Sequence, residues 1–140
     1  KKIQKKIIDK KAIHTSFNQP FYTADYGAME SNGNHKEYKN EHPIVRTHPE
    51  TGKKILFVNW MYTQQIVGLE KKESNEILKK IFDHQAKLQF TCRFTWTENT
   101  VCILDNRSVV HFAIGDFYPG RGLGYERIMD RLSIQGDQPY

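Results

Sequence analysis

The chain has 140 residues, with 21 Lys plus Arg against 16 Asp plus Glu and a formal net charge of +5. That length suits one domain or part of one. Hydrophobic residues make up 38% and charged residues 26%, and no stretch reaches the roughly 18 uninterrupted apolar residues of a membrane span, so a globular chain without a membrane partner is expected.

Residues 1–13 read as the end of an amphipathic helix. Ile3, Ile7 and Ile8 fall on one stripe and lysines cover the rest. This segment also explains the net charge. Residues 1–11 hold six Lys and one Asp, and residues 12–140 hold 15 basic and 15 acidic side chains. A nucleic-acid-binding domain would spread its basic patch over a folded face, so no nucleic-acid partner is expected. The opening Lys1-Lys2-Ile3-Gln4-Lys5-Lys6 is not a secretory signal. Cys92 and Cys102 make neither a metal-ligand pair nor a disulfide framework, which points to a reducing cytoplasm.

Residues 14–42 are polar and weakly patterned, and read as a long loop or lid. Ile44-Val45-Arg46-Thr47 and Ile55-Leu56-Phe57-Val58 then form two arms of a hairpin around Pro49-Glu50-Thr51-Gly52. A helix follows with Ser74 as its N-cap and Ile77, Leu78, Ile81 and Phe82 as its buried stripe. Phe90, Cys92, Phe94 and Trp96 alternate with polar residues, which predicts a strand with one buried face. Val101 to Leu104, Val109 to Ala113 and Glu126 to Ile134 are the further predicted strands. Turns lie at Glu98-Asn99-Thr100 and Asp105-Asn106-Arg107, and a Gly/Pro-rich loop runs from Gly115 to Gly124. The fold class expected is mainly β with flanking helices, an antiparallel barrel or jelly roll.

Few residues stand out chemically. His111 lies mid-strand and reads either as a hydrogen-bonded core histidine or as a metal ligand pointing into a barrel. Arg127 and Arg131 share one face of the last predicted strand, about 13 Å apart. They read either as surface ion pairs with Glu126 and Asp130 or as anion-capturing forks for carboxylate or sulfonate. His35-Lys36-Glu37 and His48-Pro49-Glu50 have the His-x-acid spacing of an iron site, but sit in a polar loop and at a hairpin turn, where solvated side chains are expected. Gly120-Arg121-Gly122-Leu123-Gly124 has no helix predicted after it, which argues against a dinucleotide-binding loop. Cys92 and Cys102 are expected on buried strand faces. Tyr62 and Phe57 read as core residues or as lining of a pocket.

An ordered set of motifs carries a resemblance. It comprises His42-Pro43-Ile44-Val45-Arg46-Thr47-His48-Pro49, Leu56-Phe57-Val58-Asn59, Phe94-Thr95-Trp96, Asp105-Asn106-Arg107 with His111 four residues on, Arg127-Ile128-Met129-Asp130-Arg131, and Gly136-Asp137-Gln138-Pro139. From about Pro43 to Tyr140 the chain resembles the C-terminal half of the taurine dioxygenase family, Fe(II)- and 2-oxoglutarate-dependent oxygenases. The resemblance implies part of a double-stranded β-helix over 43–140, with 1–42 as a variable helix and lid region. It implies His111 as the distal iron ligand and Arg127 as the partner of the far carboxylate of 2-oxoglutarate. Arg131 would support the co-substrate or the substrate anion, and Arg121 is a lesser candidate for the 2-oxoglutarate arginine. Fe(II) is the implied cofactor, and 2-oxoglutarate and O2 are the co-substrates. The implied reaction hydroxylates a small anionic organic substrate such as taurine or another alkylsulfonate or alkylsulfate, in a full-length dimer or tetramer.

The family's His-x-Asp iron ligands, which precede the distal histidine by well over a hundred residues, have no counterpart among the 110 residues before His111. The chain therefore reads as a fragment, inactive alone and expected to expose apolar strand faces. The alternative function is a non-catalytic β-barrel module that uses Arg127 and Arg131 to hold an anion.

Overall fold

A computed structural model describes residues 2–16, 38–111 and 129–138. Two helices and five short strands make up the regular structure of these residues. Helix α1 spans Lys2–Ile7, and strand β1 spans Lys11–Thr15. The predicted helix over 1–13 is thus half its expected length. Ala12 lies four residues beyond Ile8 and continues the helical stripe, so periodicity alone does not reveal the break. Pairing sets it: β1 is the centre of a three-stranded antiparallel sheet. One neighbour is β2 (Lys39–Pro43) and the other is β5 (Thr63–Ile66). Ala12 faces His42 on one side and Ile66 on the other, and the register to β5 slips between Ile13 and His14. Residues 14–16 and 38–42 are therefore sheet and its margins, not lid, because their backbone groups are satisfied in the ladder. Residues 17–37, the rest of the expected lid, lie outside the described residues.

The expected hairpin is present. Strand β3 (Val45–Thr47) pairs antiparallel with β4 (Lys54–Leu56), with Arg46 opposite Ile55. Gly52 closes the connection at φ +67, a conformation open to glycine without a Cβ penalty. The hairpin is tied to the larger sheet where the Ile44 amide donates to the Lys10 carbonyl, and the Phe57 amide donates to the Ile44 carbonyl.

Helix α2 spans Lys71–Gln85 and begins earlier than predicted, with Glu70 at its N-cap position. Ser74 is not the cap. It is buried, and its Oγ accepts the Ile66 amide at 2.8 Å, which joins the first turn of α2 to the end of β5. The far end is joined where Gln85 Nε2 donates to the Val58 carbonyl at 3.1 Å. Between these ties Ile77, Leu78, Ile81 and Phe82 are buried as predicted, and they pack with Ile7, Ala12, Ile44, Val58 and Ile66 into one core. Strand β5 was not expected. Its sequence Thr-Gln-Gln-Ile has no apolar alternation, and burial of Thr63 and Ile66 comes from its neighbours.

Beyond α2 the structure departs from the expectation. Leu88–Phe90 is a short 3-10 turn, and residues 91–111 and 129–138 form no β-ladder. The predicted strands at 90–96, 101–104 and 109–111 are thus absent, as is the described part of the predicted last strand. Both predicted turns are present, at Glu98-Asn99 and from Asn106 to Ser108. Cys92 is exposed and Cys102 half-buried, not buried on strand faces. Among the described residues these segments have no neighbouring strand. A period-two sequence becomes a strand only when another strand takes its amides and carbonyls. The described strands form a three-stranded and a two-stranded sheet and do not close into a barrel. No helix among the described residues is long and apolar enough to cross a membrane.

Candidate functional site

Among the described residues no hydrogen bond, ion pair or ring contact joins the predicted site residues His111, Arg131 and Tyr62 to one another. His111 and Arg131 are both exposed and lie outside any strand. Arg127 and Arg121 lie outside the described residues, as do His35 and Glu37 and the loop from Gly115 to Gly124. Tyr62 is 46% exposed, at the start of β5. Its backbone is fixed, since its amide donates to Asn59 Oδ1 at 2.9 Å and its carbonyl accepts the Thr15 amide at 2.9 Å. Phe57 is half-buried, and its ring meets two polar groups of residues.

The first group lies on the larger sheet. The His14 ring stacks near Phe57 at 6.0 Å, and the His42 ring meets both at right angles, 5.1 Å from His14 and 5.7 Å from Phe57. Thr63 Oγ1 lies 3.4 Å from His14 Nε2. Burial, with His42 beside it, pushes the His14 imidazole down to about 4. His42 is lowered too, first by burial and then by the Arg46 charge.

The second group is a chain of charges. Arg46 is 2% exposed, on the inner side of β3, with its guanidinium 5.2 Å from the Phe57 ring centroid. Its Nη2 donates to Asp137 Oδ2 at 2.5 Å. Arg107 Nη1 lies 3.8 Å from the other oxygen of Asp137. Arg107 also grips Asp105 with its side-chain Nε and Nη2, both at 2.9 Å, and with its amide at 3.0 Å. Asp105 Oδ2 in turn meets His48 Nε2 at 2.8 Å.

His48 was expected in solvent, but it is 6% exposed. Its Nδ1 accepts the amides of Glu50 at 3.2 Å and Thr51 at 3.3 Å. That pattern leaves the ring proton on Nε2, from which it is donated to Asp105. The Arg107 contacts, followed by His48, hold the Asp105 carboxyl well below the usual carboxylate range. The Arg46 contact likewise lowers Asp137. Both stay ionised at neutral pH and match two guanidinium groups.

Sequence reasoning missed this group. Its members are 91 residues apart at Arg46 and Asp137 and 57 apart at His48 and Asp105, so no local spacing encodes it. The available signal was the ordered motif set, which contains Arg46, His48, Asp105, Arg107 and Asp137 without showing that they meet.

Residues 5–132 match the family described as Taurine catabolism dioxygenase TauD, TfdA family. The chain belongs to this family. It is 43% identical over 102 residues to a Schizosaccharomyces pombe protein provisionally described as an alpha-ketoglutarate-dependent sulfonate dioxygenase, covering 72% of this chain and 25% of that protein. It is 43% identical over 100 residues to the alpha-ketoglutarate-dependent dioxygenase cnsP of Penicillium expansum, covering 71% of this chain and 26% of that protein. It is 30% identical over 102 residues to an alpha-ketoglutarate-dependent sulfate ester dioxygenase of Pseudomonas putida, covering 73% of this chain and 32% of that protein. The chain thus spans about a quarter to a third of the length of these relatives.

The family implies iron. His111 offers an exposed imidazole, a suitable donor for Fe(II). Among the described residues no group of three or more His, Cys, Asp or Glu side chains could hold a metal ion. The described residues therefore do not assemble an iron site, and His111 stands in them as a single donor.

Proposed function

We propose that this chain is part of an Fe(II)- and 2-oxoglutarate-dependent dioxygenase acting on a small anionic organic substrate, with alkylsulfonates such as taurine and alkylsulfates as the substrate class. The observation that carries this reading is the family match over residues 5–132, supported by relatives named for sulfonate and sulfate ester chemistry.

In this reading His111 supplies one imidazole to the iron, and the other ligands come from outside these 140 residues. Iron with 2-oxoglutarate and O2 supplies the oxidising chemistry. The chain's own contribution is binding and orientation. Arg127 forks onto the far carboxylate of 2-oxoglutarate. Arg131 supports that carboxylate or takes the substrate's anionic head, because a planar guanidinium matches carboxylate or sulfonate with two parallel N–H donors. Tyr62, exposed beside an anchored backbone, lines the substrate side.

The test uses the full-length protein with 2-oxoglutarate, Fe(II) and taurine or an alkylsulfate, following succinate formation. His111→Ala is expected to abolish it, and Arg127→Ala to raise the KM for 2-oxoglutarate. Unchanged turnover in His111→Ala overturns the role of His111. Anion binding without succinate formation in the wild type favours the non-catalytic module.

A further inference from the structure

The charged chain joins three parts of the molecule. Arg46 and His48 belong to the hairpin formed by β3 and β4 and its connection. Asp105 and Arg107 form the turn that leads, four residues later, to His111. Asp137 lies six residues after Arg131. Two hydrogen bonds, Arg46 to Asp137 and His48 to Asp105, therefore join the His111 segment and the Arg131 segment to one hairpin. These segments lack ladder pairing in the described structure, and the two bonds are side-chain ties between them and the hairpin.

The tie is built rather than incidental. Arg46 is buried and its cation faces the Phe57 ring, a contact that orients it independently of Asp137. His48 is oriented by two turn amides, so its Nε2 proton has one direction in which to point. Arg107 spans both carboxylates and couples the two segments to each other.

We propose that Arg46, His48, Asp105, Arg107 and Asp137 form a positioning clamp that sets the His111 segment and the Arg131 segment against the β3–β4 hairpin. This rests on the dioxygenase reading insofar as His111 and Arg131 serve the site. None of the five touches substrate or cofactor in it. They act through the residues they place, as outer-shell partners of a metal site do.

The experiment has a ligand-free arm and a ligand arm, both on the full-length protein with Cys92 and Cys102 replaced. Spin labels on Lys53 and Gln135, and in a second protein on Lys53 and Asn106, report the two hairpin-to-segment distances by pulsed EPR. The wild type is expected to give one narrow distribution for each pair. Asp137→Asn should broaden the first, and Asp105→Asn the second. In the ligand arm, Asp105→Asn should raise the KM for 2-oxoglutarate about 10-fold with a smaller change in kcat, and Asp105→Glu should recover part of the loss. Asp105→Asn keeps the shape of a half-exposed side chain, so it folds even where loss of the Arg46 partner does not. Unchanged distance distributions in both variants overturn the clamp. So does equal broadening between two labels placed wholly within the β-sheets and α2, which would mark a general loss of structure. If the wild type binds no 2-oxoglutarate, the dioxygenase reading fails and the EPR arm alone decides the clamp.

Discussion

Residues 38–90 and residues 91–111 contain comparable runs of apolar side chains, yet only the first region buries them. In the first, Ile44, Ile66 and Leu78 are fully covered. In the second, Val101 is 85% and Ile103 90% exposed, and further along the chain Leu132 and Ile134 are each 95% exposed. The difference lies in partners. Strand β1 has a neighbour on both edges, and α2 lies against β5 and the core. Among the described residues the later segments have alternation without a second strand to read it. Sequence pattern therefore sets which face would be buried, and the presence of a neighbour sets whether it is.

The sharpest way to break this contrast is a matched pair of truncations in the 140-residue chain. Leu78→Ala should cost about 2–5 kcal/mol, the range for deleting a buried leucine, read by urea denaturation. The same change at Leu132 should stay within about 0.5 kcal/mol, as for exposed positions. Equal losses would show that the later segment has a covered face in solution.

Mild acid should produce an intermediate effect, centred on the larger sheet. Folded His14 takes up its proton only near pH 4, whereas the unfolded imidazole does so near its ordinary value of 6.5. The unfolded chain thus binds more protons between those values, so stability falls as pH drops from about 6.5 to about 4 and levels below that. His14→Phe should flatten this limb in denaturation midpoints taken across the range. Asp105 and Asp137 act at lower pH. Their folded carboxyls are held down by arginine, so their contribution is present above the ordinary carboxylate range and is lost only in strong acid.

Much of the fold was legible where the information is local. The hairpin is written in its two β-rich arms and Gly52. The stripe of α2 is written in the spacing of Ile77, Leu78, Ile81 and Phe82. The central sheet was not legible, because Lys39–Pro43 and Thr63–Ile66 are polar strands made by pairing with Lys11–Thr15. Of the site, the order of motifs marked the family before any contact was visible. The charges from Arg46 to His48 were illegible for the opposite reason: each residue is ordinary alone, and meaning comes from partners tens of residues away.

The ring of His48 carries one more consequence. Both of its nitrogens are engaged, one by turn amides and one by Asp105, and the ring is shielded. Towards an acylating reagent at neutral pH it is silent, while the open ring of His111 is not. Brief treatment with diethyl pyrocarbonate would therefore mark exposed rings such as those of His84 and His111 and pass over His48, a chemical stain that singles out the histidine used for scaffolding.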